Sequence, residues 1–306
     1  MRNDGIRDLN ITGMWSCAQW GDTLLGLRAE QMSIAVGDSA RIWMRFTPEH
    51  NVYYRLPVVV ATDGPDGFVA LQFEAQGRWS QSYYSSTENK NWAQLKSALT
   101  TKLNQGTTNL GYNGARDQMY GNLDNVNGQV TCIYTGRVAT FNTRAGATAN
   151  NMNCEHTFPQ SFFSSAEPMK SDIHHLFPSD ASANTQRSNN PFGIITGTPA
   201  WSVGGSKRLS GVFEPRDAHK GDAARAMMYF VTRFGDYSSF YAQQAAVLEA
   251  WHQQFPPDSA DRARNQGIAA LQNTRNPYVD YPQIMERLIS LAGSPQPNLA
   301  AQHWAS

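Results

Sequence analysis

The spacing of apolar residues changes character near residue 90, and this change restricts the chain to a β-rich front followed by a mixed remainder. From Ile11 to about Tyr84 the apolar residues fall in short or alternating runs: TLLGLRA, MSIAV, ARIWMRF, VYYRLPVVVAT and FVALQFEA. GD, TPEHN and DGPDG interrupt them. Runs this short, rich in Val, Ile and aromatics and closed by turn formers, predict antiparallel strands. The expectation for residues 1–90 is a small all-β domain, sandwich- or barrel-like, of about six or seven strands. Trp15, Trp20, Tyr53, Tyr54 and Trp79 are candidates for an exposed aromatic face on it, with ordinary core and edge packing as the commoner alternative.

SSTENK, residues 85–90, reads as a linker, and a second domain of class α+β is expected over 91–306. WAQLKSALTTKL has helical spacing, ARDQMYGNLDN is a candidate helix, and GQVTCIYTGRVATF predicts a hairpin about its Tyr-Thr-Gly turn. Further helices are expected over Asp222–Arg233, Ala242–Gln254, Ala260–Leu271 and the terminal PQIMERLISLAG, with Asp222 as a favourable anion near the start of the first.

Charge narrows function little. The chain has 25 basic and 25 acidic residues, so it has no global positive field, although a local basic groove is compatible with that total. It has no apolar run of about eighteen residues, so membrane insertion is not expected. The start, MRNDGIRDLN, lacks the apolar core of a signal peptide, which leaves an intracellular protein open as an alternative. The cysteines are Cys17, Cys132 and Cys154; a Cys132–Cys154 disulfide and three reduced thiols are both open.

Potential reaction chemistry is densest between Asn153 and Gly193. Glu155 and His156 are neighbours at the end of an expected strand, so their side chains address opposite faces. Downstream, Ser179 or Asp180 suits a helix N-cap, and Asn184, Arg187 and Ser188 fall on one helical face. A carboxylate and an amide carbonyl suit a hard cation such as Mg²⁺. Two other readings compete: a structural zinc site drawing on Cys154, His156, His174 and His175, and an inactive module that binds nucleic acid or a partner.

CEHTFPQ at 154–160, SDIHHLFPSD at 171–180 and NTQRSNNPFG at 184–193 resemble, in that order, the motifs of the endonuclease I family of the ββα-metal (His-Me finger) nuclease superfamily. ARDQMYG at 115–121, FEPRDAHKGDAARAMMY at 213–229 and RNPYVDYP at 275–282 extend the resemblance to about residues 95–285. It implies a ββα-metal nuclease domain with several helices. It also implies an Mg²⁺-dependent endonuclease, with Mn²⁺ or Ca²⁺ as alternatives, that hydrolyses DNA, and RNA as a second substrate, leaving 5′-phosphate ends. His156 would be the general base; Glu155 and Asn184 would hold the metal. His174 and His175 stand in a second tier. Arg187 is either a catalytic cation or one half of a structural salt bridge. Members of the family can carry an arginine after the EH pair, but Gln160–Met169 has none. Lys170, Arg216, Arg225 and Arg275 are the candidate substrate-binding cations. The resemblance further implies secretion or a periplasmic location in a bacterium. Residues 1–90 lie outside it, and the expectation for them is a targeting or regulatory partner. Deleting them with no change in activity, solubility or binding would contradict that role.

Overall fold

The computed structural model describes residues 1–16, 24–288 and 291; Cys17 and Trp20 lie outside the described residues. The chain divides at Lys90–Asn91 into two compact units.

The first unit is β-rich, with one 3₁₀ helix over Ser82–Thr87 that takes up the start of the expected linker. Its strands are β1 (Leu9–Ser16), β2 (Leu25–Ala29), β3 (Ser33–Ile34), β4 (Ile42–Phe46), β5 (Tyr53–Thr62) and β6 (Phe68–Gln76). They form an antiparallel sheet ordered β3-β1-β5-β6 and a separate β2-β4 ribbon. Period-two patterning is clearest on β5, where Tyr54, Leu56, Val58 and Val60 are buried between more exposed neighbours. The first three, with Leu24, Leu25 and Val52, make a core cluster that the ribbon closes through Leu27 and Phe46. DGPDG turns β5 into β6, and Gly67 supplies the positive φ of +70° that the turn needs. The aromatic face is only partly present. Trp15 and Tyr53 are exposed, whereas Tyr54 is 3% exposed and packs edge-on to Phe46, and Trp79 is half-buried.

The second unit begins with α1 (Trp92–Asn104) and α2 (Gly111–Gln118), followed by β7 (Asn125–Val126), β8 (Gln129–Thr131), β9 (Val138–Thr140) and α3 (Arg144–Ala149). Next come β10 (Met152–His156), β11 (Leu176–Asp180) and α4 (Ala181–Arg187), then the meander β12 (Trp201–Val203), β13 (Ser206–Leu209) and β14 (Val212–Glu214). Helices α5 (Asp217–Phe234), α6 (Ala245–Gln254), α7 (Ser259–Gln272) and α8 (Pro277–Asp280) complete it. The expected hairpin forms as β8 and β9.

α5 is the centre of this unit. It is buried on nearly every side, through Ala223, Ala224, Met227, Met228, Phe230 and Val231 among others, and α1, α6 and α8 pack around it. Fully burying a side chain the size of Met228 or Phe230 contributes about 1.5–3 kcal/mol. Gly221 is required where α6 ends, because a Cβ there would stand 2.4 Å from the Phe255 carbonyl oxygen. α7 starts at a capping box in which Asp258 accepts from Ala260 and Asp261 backbone N–H groups, a cap worth about 1 kcal/mol.

Two helical expectations need correction. α5 begins at Asp217, which supplies the first-turn acid, while Asp222 lies inside the helix and pairs with Arg225 at 2.7 Å. The terminal PQIMERLISLAG gives a 3₁₀ helix over Pro282–Arg287, and its Ile289, Ser290, Ala292 and Gly293 lie outside the described residues. Among the described residues no helix is long and apolar enough to cross a membrane.

Candidate active site

β10 and β11 pair antiparallel, with Glu155 opposite Phe177 and His156 opposite Leu176, and α4 comes directly after β11. The 19 residues joining the strands (157–175) contain three short 3₁₀ turns. Phe158 holds this crossing in place by stacking on Phe230 of α5 at 4.1 Å between ring centroids. Asp172 pins its far end: its carboxylate receives Arg233 at 2.5 Å, Tyr229 at 2.9 Å and Gln272 at 3.0 Å.

Strand alternation separates the two central side chains as expected. Glu155 is 2% exposed, and both of its polar contacts among the described residues fall on Oε1: Tyr134 donates at 2.8 Å, and Arg187 Nε stands 3.3 Å away without hydrogen-bond alignment. Burial pushes the Glu155 carboxyl up to about 7, against the opposing pull of Arg187 and Tyr134. Oε2 takes no hydrogen bond among the described residues. Asn184, half-buried on α4, likewise has no side-chain partner among them. One carboxylate oxygen and one amide carbonyl are therefore available to a hard cation, which takes few protein ligands and keeps its waters.

His156 is 5% exposed and faces the other way, against Tyr112 and His175. Its Nε2 lies 3.0 Å from the Lys170 carbonyl oxygen, which can only accept, so Nε2 carries the proton. Nδ1 is then the lone-pair nitrogen, and the Gln160 side-chain amide donates to it at 3.1 Å. Burial, with lesser contributions from His175 and the cations Lys170 and Arg116, lowers the ring's pKa to about 3. The imidazole is thus neutral near pH 7, with one tautomer selected and its basic nitrogen held by a displaceable amide.

The remaining candidates separate by geometry. Arg187 is 0% exposed; it donates to the carbonyls of Ser188, Asn190 and Thr157 and lies over the Phe192 ring. Its nearest carboxylate is Glu155, and its burial fits the structural side of the two readings. Arg225 is also internal, bound to Asp222, Asp261 and the Phe255 carbonyl. Arg275 is engaged by Asp280 through two nitrogens. Arg216 is half-buried with its guanidinium against Gly136, and Lys170 is half-buried beside Tyr112. His174 and His175 bind the carbonyls of Thr274 and Met169. Among the described residues no three His, Cys, Asp or Glu side chains converge into a metal-holding group, so Cys154, His156, His174 and His175 do not make a structural zinc cluster. Cys132 and Cys154 are buried free thiols. Cys132 Sγ instead accepts the Asp180 backbone N–H at 3.0 Å. Asp180 occupies the N-cap position of α4 but does not cap it; its carboxylate is taken by Thr135 and Arg137.

Sequence reasoning missed Tyr134, Gln160, Tyr112 and Arg116. Gln160 had a signal, four residues beyond His156 within CEHTFPQ; Tyr134 had none, because only the folded hairpin brings it to Glu155.

Comparison with known proteins bears on the same region. The chain matches the family Endonuclease I over residues 91–283. It is 30% identical to the extracellular ribonuclease of Bacillus amyloliquefaciens over 228 residues, 67% of this chain and 76% of that protein. It is 31% identical to the extracellular ribonuclease of Bacillus subtilis (strain 168) over 225 residues, 67% of this chain and 77% of that one. A periplasmic deoxyribonuclease of Aeromonas hydrophila is 32% identical over 117 residues, 37% of this chain and 48% of that one.

Proposed function

Since the chain belongs to the endonuclease I family and is a nucleic-acid hydrolase, we propose that it is a divalent-metal-dependent endonuclease of the ββα-metal type, cutting DNA and RNA with little sequence preference. The observation that carries this reading is the state of His156: Nε2–H is tied to a backbone carbonyl, and Nδ1 is left as the acceptor. A water that replaces the Gln160 amide at Nδ1 loses its proton there as its oxygen bonds to phosphorus. The P–O3′ bond breaks, the electron pair leaves on O3′ and takes up a proton, and the products carry 5′-phosphate and 3′-hydroxyl ends. Glu155 Oε2 and the Asn184 amide oxygen would hold the metal. Mg²⁺, or Mn²⁺ or Ca²⁺ in its place, supplies charge stabilisation at the non-bridging and leaving oxygens when bound. Arg187 and Tyr134 orient the Glu155 carboxylate from behind. Contacts confined to phosphate and sugar read no bases, hence the low sequence preference. The relatives named extracellular or periplasmic support secretion or a periplasmic location.

Metal binding tests the ligand assignment without relying on activity. Calorimetric titration with Mn²⁺ is expected to give one site in the wild type, weakened by at least about 10-fold in both Glu155→Gln and Asn184→Ala. Wild-type affinity in both variants would remove these residues from the metal site.

A further inference from the structure

In the second unit most cations are already matched to carboxylates. Arg137 pairs with Asp180, Arg144 with Asp117, Arg225 with Asp222, Arg233 with Asp172, Arg264 with Asp124 and Arg275 with Asp280. Lys207 and Lys220 pair with Glu214. Others bind neutral acceptors, as Arg208 does the Gln186 side chain and Arg262 the Val279 carbonyl; two of the cations without a carboxylate flank His156. Arg116, from the ARDQMYG stretch on α2, lies over the Tyr112 ring at 4.1 Å, and Lys170 lies over the same ring at 5.0 Å. Tyr112 is itself 5.5 Å from the His156 ring. Neither cation has a carboxylate partner among the described residues. The Arg116 guanidinium donates to the Asn113 side chain at 2.7 Å, and its Nε is buried with no hydrogen bond among the described residues.

Two positive side chains held against one aromatic ring repel each other, and the ring quadrupole offsets only part of that cost. The arrangement is complete only when an anion joins it. We infer that Arg116, Lys170 and Tyr112 form an anion subsite that takes a backbone phosphate of the substrate strand beside His156. This rests on the proposed nuclease function and adds a residue, Arg116, to substrate binding. The site suits a phosphodiester more than an isolated small anion: Tyr112, Arg116 and Lys170 are half-buried and so open to a passing strand, and Lys170 also supplies the carbonyl that orients His156. Loading the subsite therefore brings the phosphate beside the His156 ring.

The test uses the full chain and a fluorescent single-stranded oligothymidylate in EDTA, so that binding is read without cleavage. Affinity is measured against salt for wild type, Arg116→Met, Lys170→Met, Arg116→Lys and the double methionine variant, with thermal melting to check folding. Each methionine variant is expected to reduce the slope of log K against log salt by about 0.7, one phosphate contact, and Arg116→Lys to retain it. In Mg²⁺, kcat/KM should fall about 10–100-fold in each methionine variant. An unchanged slope in the folded double variant overturns the subsite, and so does an unchanged slope in folded Lys170→Met if the Arg116 variants prove unstable. A wild type that does not cleave, but whose salt slope still depends on Arg116 and Lys170, overturns the hydrolase reading while upholding the anion subsite.

Discussion

Replacing His156 with alanine is expected to slow phosphodiester cleavage by about 10²–10⁴-fold, the usual contribution of a positioned general base, while the protein stays folded. The expectation comes from the division of labour on the ring. Nε2 serves structure, donating to the Lys170 carbonyl, and Nδ1 is the one nitrogen left to accept a proton. Truncation removes both and leaves a cavity between Tyr112 and His175, but the freed carbonyl belongs to a half-buried residue and can turn to water. His156→Gln, which keeps a donor for that carbonyl, should be as inactive and more stable. Single-turnover cleavage of a labelled duplex, with circular dichroism as the fold check, separates the two roles. A folded His156→Ala protein that cleaves at the wild-type rate would remove His156 from the base role.

The second large effect is on stability. Asp172→Ala is expected to destabilise the second unit by about 3–5 kcal/mol, because it strands the Arg233 guanidinium in the interior. Asp172 and Arg233 are both buried, and Tyr229, Gln272 and the His174 backbone N–H donate to the same carboxylate. A loss of that size is a large part of a typical domain's stability, equivalent to a melting shift of roughly 6–20 °C for a unit of this length. The pH dependence has a definite sign. Burial alone would raise the Asp172 carboxyl, but Arg233, His174, His175 and Gln272 outweigh it and hold the group below the usual carboxylate range. A depressed folded-state pKa means that the unfolded chain binds the proton more readily. The contribution is therefore complete above the unfolded value of about 4 and is lost as pH falls through the folded value. Urea titrations of wild type and Asp172→Ala should converge in acid, with the gap widening as pH rises to about 4 and staying constant above it; a gap that does not shrink as pH falls below about 4 would contradict the assignment. Since Asp172 anchors the crossing that carries Lys170, its loss should also loosen the carbonyl that orients His156.

Local patterns were readable from the sequence where local physics decides. The alternation on β5, the helical spacing of α1 and α7, the β8–β9 hairpin and the opposite facing of Glu155 and His156 all arise from side-chain period and turn chemistry. The cations were not readable, because the fate of an arginine depends on which carboxylate the fold brings to it. Arg187, Arg225 and Arg275 look like Arg116 in the sequence, yet three are neutralised by Glu155, Asp222 and Asp280 and one is not. Asp180 illustrates the same limit: it stands where an N-cap was expected, but Thr135 and Arg137 outcompete the helix for its oxygens. Cys132 and Cys154 are likewise decided by tertiary placement, as separate buried thiols.

Cleavage of plasmid DNA and of an unstructured RNA by the full chain, in Mg²⁺ and again in excess EDTA, tests the central claim most directly. The account predicts degradation of both substrates to 5′-phosphate ends in Mg²⁺ and none in EDTA, with activity restored when Mg²⁺ is returned. Cleavage that persists undiminished in EDTA, or intact substrates in Mg²⁺ and Mn²⁺ alike, would contradict it.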